Sequence, residues 1–163
     1  MKLEPFYQQF LRGFYRNNNP VFEFPREDGD ELEIARKFNY LLMPPPCDYK
    51  NKDFGESSFL LEVPFQKGKD PFYYNYLSEK ATERLIIHID KSYRWYFHTR
   101  MKEYHCTGFG YKESVELFLD ENNINPVFYD RCIKDLQRWR ILVRVKKFQQ
   151  KSNRLNLSNC PTN

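Results

Sequence analysis

The sequence predicts a helix-rich α+β protein in two parts, a mixed α/β lobe over residues 1–77 and a helical unit over residues 78–163 that ends in a basic β-hairpin. Three observations predict it. Apolar residues recur at spacings of three and four through most of residues 81–139, which is the period of amphipathic helices. Short alternating stretches at 21–24 and 58–65, bounded by Pro, Gly, Asn and Asp, read as strands. Positive charge gathers toward the C-terminus. A chain of 163 residues can close a real core. With 15 Phe, 12 Tyr and 2 Trp, but Ala only at 35 and 81, that core must be built from rings. Some tyrosines are then left over for the surface.

Phe6, Phe10, Leu11 and Phe14 fall at helical spacing, so a short helix opens the chain, and Asn17-Asn18-Asn19-Pro20 ends it. Val21-Phe22-Glu23-Phe24 alternates like a brief strand, and Asp28-Gly29-Asp30 is a turn. Residues 31–42 return to helical period through Ile34, Phe38, Leu41 and Leu42. Pro44-Pro45-Pro46 stops regular structure, because three rings remove three N–H donors and disfavour the helical basin. Residues 47–57 read as a loop, 58–65 as a strand and 66–71 as another loop.

From Ser78, a candidate N-cap, a long helix carries Ile86, Ile89, Tyr93, Phe97, Met101 and Tyr104 on one face. Thr107-Gly108-Phe109-Gly110 breaks it. Residues 112–122 form a second helix that turns Val115, Phe118 and Leu119 inward. Asn125 can cap a third helix, with Pro126 at its first position, where a missing N–H costs nothing. This third helix buries Tyr129, Cys132, Ile133, Leu136 and Trp139, and sets Arg131, Lys134 and Arg138 on the opposite stripe. Beyond Trp139 the wheel fails, since Arg140, Arg144 and Lys147 would enter the apolar face. Residues 141–146 therefore read as a strand, 149–153 as a turn and 154–158 as a second strand.

Residues 131–154 hold nine Lys/Arg and one acid, Asp135. Residues 1–80 carry 11 basic and 13 acidic side chains, residues 81–163 carry 15 and 9, so the halves sum to −2 and +6. A split of this kind points to a polyanion partner for the C-terminal half, nucleic acid first among them, although a charge run alone is also what a solvated face looks like. Lys and Arg release condensed counterions from phosphates, and a helix of about 12 Å diameter fits the major groove. The expected contacts are Asn125, Arg131, Lys134, Gln137, Arg138, Arg140, Arg144, Lys146, Lys147, Lys151 and Arg154. Of these, Arg131, Lys134, Gln137 and Arg138 carry the chemistry that reads base edges.

Two helices, a capped helix and a basic hairpin make up the layout of a winged helix-turn-helix. The stretch YDRCIKDLQRWRILVRVKKFQQKSNRLNLS, residues 129–158, resembles that family of phage and mobile-element DNA-binding proteins, in which an Ile-Lys-x-Leu core runs into an I-x-V-R strand and a wing. The resemblance covers roughly the last third of the chain and rests on pattern rather than a diagnostic motif. It implies a recognition helix over 125–139 in the major groove of double-stranded DNA, and a wing over 141–158 whose Lys146, Lys147 and Lys151 touch phosphate. The chain departs from the family at Arg138-Trp139-Arg140, where winged helices often carry Gly, and this puts the shape of the helix exit in question.

Other chemistries leave no fingerprint. There is no glycine-rich nucleotide loop and no nucleophile elbow, so no catalytic residue and no cofactor is expected. His98 and His105 are seven apart with Cys106 adjacent, but the remaining cysteines are too scattered to complete a zinc site, and no metal is expected. Asp28, Asp30, Glu31 and Glu33 cluster at a turn and helix start, where acids favour the helix dipole. Cys47, Cys106, Cys132 and Cys160 read as free thiols, with Cys132 in the core. No apolar run approaches a bilayer span, and the first residues lack a signal peptide's apolar region, which predicts a cytoplasmic protein. Tyr93-Arg94-Trp95-Tyr96-Phe97-His98 interleaves rings and bases, which serves helix packing, a partner interface or the stacking of unpaired bases on Trp95 or Tyr96. Phe72-Tyr73-Tyr74-Asn75-Tyr76 is an exposed loop or the seam between the two parts. The expected function is non-enzymatic DNA binding in a phage or other mobile element, for regulation, replication initiation or packaging. The alternative is an assembly or adaptor protein that uses aromatic surfaces on protein partners or on a second copy of itself.

Overall fold

The structure, a computed structural model, describes residues 1–24, 33–48, 58–63 and 68–158. Its axis is a helix of 28 residues, α3 (Glu79–Cys106), roughly 42 Å long. Ser78 caps it as expected, its hydroxyl accepting the Ala81 N–H at 3.2 Å. The helix ends where Gly108 takes φ +98°, a left-handed backbone that glycine adopts without a Cβ penalty. Leu85, Ile89, Tyr93, Phe97, Met101 and Tyr104 line its buried face.

The other helices pack around that face. In α1 (Pro5–Phe14), Phe6 and Phe10 meet Tyr93 edge-on, with centroids 4.8 and 5.4 Å away, and Phe14 meets Tyr96 at 4.8 Å. In α2 (Ile34–Leu41), Ile34, Ala35, Phe38 and Leu41 are buried. Helix α4 (Tyr111–Glu121) begins at Gly110, whose N–H is accepted by the Glu113 carboxylate at 2.9 Å, and it sends Phe118 edge-on against Phe97 at 4.9 Å. A tight turn follows, with Asn123 at φ +50°. Asn125 then caps a 3-10 turn, Pro126–Phe128, through the Val127 N–H, and this leads into α5 (Tyr129–Ser158). Buried residues from Leu3 to Leu136 form one hydrophobic cluster, knit by edge-to-face ring contacts.

Two expectations are corrected. First, the described residues contain no sheet, so the α+β class with its mixed α/β lobe gives way to a helical fold. The stretches at 21–24 and 58–65 meet in a single parallel bridge, Phe22 with Leu61, held by the Phe22 N–H to Leu60 O and the Glu62 N–H to Phe22 O, both 2.9 Å. Phe22 is fully buried against Phe24 and Phe59, so ring packing rather than a hydrogen-bonded ladder holds these extended segments. A second isolated bridge pairs Met43 with Tyr76. The expected turn at Asp28-Gly29-Asp30, most of the 47–57 loop and residues 64–67 lie outside the described residues.

Second, residues 141–158 form no hairpin: α5 continues through them as one helix to Ser158, and there is no wing. A helical wheel excludes cations from an apolar face only where an apolar neighbour runs beside the whole helix. In fact Trp139 stacks near Lys102, close to the end of α3, and Arg140 lies over Tyr111, the first residue of α4. The guanidinium of Arg140 is 3.7 Å from that ring's centroid, so the apolar face accepts it through a cation–π contact. Past this level both neighbouring helices have ended. Arg144 is exposed, and the helix extends roughly 22 Å beyond Val143.

Candidate nucleic-acid interface

The structure sorts the expected contact residues into three groups. Asn125 and Arg131 are committed to α1. The Asn125 N–H donates to the Gln9 side chain at 2.7 Å, and its own side chain caps the 3-10 turn. Arg131 pairs with Glu4 at 2.7 Å and lies over the rings of Phe6 and Tyr7 at 4.3 and 4.8 Å. Tyr7 in turn donates to Asp90 of α3 at 2.5 Å. The start of α5, where a recognition helix would meet base edges, thus sits beneath α1. Arg131 therefore leaves the outward stripe that its spacing implied.

Lys134, Gln137, Arg138, Arg144 and Lys146 form the second group, all exposed on α5. Arg138 is 3.7 Å from Asp135, which is only 7% exposed and also lies 4.0 Å from Arg94. Lys134, Arg144 and Lys146 have no acidic partner among the described residues. Asp135 is the last acid in the sequence, and seven Lys/Arg follow it. The third group, Arg140, Lys147, Lys151 and Arg154, changes setting. Arg140 is half-buried on Tyr111, and the other three, assigned to a wing, lie on the helix instead.

Spacing could not show two features. Ile141, Leu142 and Val145 are 60%, 59% and 47% exposed, interleaved with the cations of the projecting helix. The branched residues and partial alternation over 141–146 suit a strand, whereas on a helix Ile141, Leu142 and Val145 form an apolar stripe. The clamp of α1 across the α4–α5 turn depends on Gly13, and nothing in the local pattern marks that glycine.

The groups that resemble reactive centres are held as structure. Cys132 is buried with its sulfur 3.6 Å from the Tyr93 hydroxyl, and burial pushes its thiol up to about 11, so it stays protonated. Glu121 accepts hydrogen bonds from Tyr104 and from Arg100, the latter at 2.7 Å. Burial works against its charge, but these two donors hold its carboxyl below the usual range. The same burial, with Glu121 alongside, raises the Tyr104 phenol. His98 and His105 do not share a site: His98 stacks on Trp139 at 4.7 Å and His105 on Tyr111 at 4.8 Å. Among the described residues no three His, Cys, Asp or Glu side chains converge as metal ligands would, and no helix is long and apolar enough to cross a membrane. Comparison with protein families, curated proteins and solved structures finds no match to this chain.

Proposed function

We propose that this is a nucleic-acid-binding protein that holds double-stranded DNA on the outward face and projecting half of α5. One observation carries the reading: a single continuous helix bears seven Lys/Arg after its last acid. Lys134, Arg144 and Lys146 on that helix are exposed and have no acidic partner among the described residues. Cations on one helix displace the counterions of a phosphate backbone, and a helix of about 10–12 Å diameter fits a major groove about 12 Å wide. Lys134, Gln137 and Arg138 face outward and supply the donors that read base edges, while Arg144 and Lys146 supply phosphate contacts. Asn125 and Arg131 belong to the scaffold. Regulation, replication initiation and packaging of DNA all require such a surface.

The test is binding of the full chain to a blunt duplex across a salt series. Log affinity should fall linearly with log salt, by about 0.9 per phosphate neutralised. The double change Arg144→Ala with Lys146→Ala should make the slope shallower by about two contacts. Arg131→Ala should leave the slope unchanged. Undetectable binding at low salt, or a slope indifferent to the double change, overturns the reading.

The exposed Ile141, Leu142 and Val145 favour a second reading, an assembly or adaptor protein whose projecting helix docks on a protein surface. Charge repulsion along α5 disfavours pairing with a second copy of itself, so such a partner would be acidic as well as apolar.

A further inference from the structure

We propose that a second face, on α3, binds single-stranded nucleic acid, with Trp95 as the platform on which an unpaired base stacks. The positions 84, 88, 91, 95, 98 and 102 step by four and three, so they share one stripe of α3. Their occupants are Arg84, His88, Lys91, Trp95, His98 and Lys102, with neither an acid nor an aliphatic side chain among them. The stripe runs roughly 27 Å, enough for several nucleotides.

Two observations point to a ligand there. Trp95 is 59% exposed, an unusual state for the largest side chain, and among the described residues no ring stacks on it and no cation covers it. Arg84 and Lys91 are exposed without an acidic partner among the described residues, whereas Arg94, off the stripe, is neutralised by Asp90 at 2.9 Å. His98 lies flat on Trp139 with ring planes 10° apart, and Lys102 stands over the same indole at 5.6 Å. Trp95 supplies an open π-face, and the exposed Arg84, Lys91 and Lys102 supply phosphate-neutralising charge, the combination that grips a single strand. A duplex cannot use Trp95, because its bases already stack on one another.

This face adjoins α5, since Asp135 reaches toward Arg94 and Trp139 meets His98. Given the duplex reading above, on which this last step rests, the preferred substrate is a duplex carrying a single-stranded tail.

The experiment titrates the full chain with a single-stranded oligothymidine of about twenty nucleotides, a length within reach of known site sizes, and separately with a blunt duplex. Anisotropy of the labelled strand is followed alongside tryptophan fluorescence. Trp95→Ala should weaken single-strand binding about five- to hundred-fold and leave duplex binding unchanged, while Trp95→Phe should retain most of the affinity. In Trp139→Phe, the remaining indole should be quenched by the single strand and not by the duplex. Should that variant fail to fold, the Trp95 pair decides alone. Equal single-strand affinity for wild type and Trp95→Ala overturns the proposal, as does absence of single-strand binding, or displacement of the strand by charge-matched polyglutamate equally well from both proteins, which would mark an acidic protein site. Loss of duplex binding with single-strand binding intact would remove the α5 reading and leave this one standing.

Discussion

Replacing Gly13 by alanine tests how α1 is seated. In an ordinary helix that change gains about 1 kcal/mol, because alanine loses less backbone freedom on folding. Here an added Cβ would lie 1.7 Å from the Asn122 carbonyl oxygen, 2.5 Å from its carbonyl carbon and 2.9 Å from its Cα. All three are backbone atoms of the α4–α5 turn and cannot rotate aside. Ordinary carbon contacts sit near 3.5–4 Å, so the end of α1 must retreat by roughly 2 Å. The retreat pulls Phe14 off Tyr96 and strains the Gln9 contact to the Asn125 N–H. Overpacking of this kind costs about 1–3 kcal/mol, and here no flexible side chain can absorb it. Gly13→Ala should therefore destabilise the protein by about 1–3 kcal/mol net, read from urea unfolding followed by circular dichroism. The amide of Asn125 should also exchange faster with solvent. A variant that matches wild type, or gains about 1 kcal/mol, would mean that α1 does not clamp the turn, and Asn125 and Arg131 would return to the interface.

Two further outcomes check the helix phase and the basic stripe. Leu136→Ala should cost about 2–5 kcal/mol through lost burial and a cavity, while Lys134→Ala should stay within about 0.5 kcal/mol; equal thermal midpoints would put the wrong face of α5 in the core. His98 is held down to about 4 by burial and by the nearby Arg94 and Lys102, so the unfolded chain takes up its proton first. Its contribution to stability is present above about pH 6.5 and is lost as pH falls toward 4. The thermal midpoint of His98→Gln should accordingly drop less than that of wild type between pH 7 and 4.5, and identical drops would show that His98 titrates as an exposed imidazole.

Much of the helical architecture was legible because it is local. The spacing of Phe6, Phe10 and Leu11, the cap at Ser78 and the inward Val115, Phe118 and Leu119 each follow from a three-to-four period or from an orphan N–H needing a partner. The strands failed for a different reason. Phe22 and Phe59 carry strong β preference, but such preference describes fitting a half-buried pleated surface, and these rings go into a pocket of other rings. At residues 141–146 the same preference competed with a helix already nucleated and capped. Extending that helix costs little per residue, and the helix won.

The site divides in the same way. The sequence by itself determined which residues carry charge and where acids stop: no tertiary arrangement alters the seven Lys/Arg that follow Asp135. It determined too that Leu136 and Cys132 point inward, since a helix with one apolar stripe has one way to bury it. Only the tertiary structure decided which cations remain available. Arg131 and Lys134 are chemically similar and three residues apart, yet Arg131 faces Glu4 from a helix more than a hundred positions earlier in the chain, and Lys134 faces water. Only the tertiary structure, likewise, set the break between α3 and α4 beside residue 140, so that Arg144 and Lys146 lie beyond the bundle. The physical reason is range. Helix period and capping act within a turn or two of chain, whereas the partner of a charge is set by whatever element the fold brings within a few ångströms of it, which spacing along the chain does not encode.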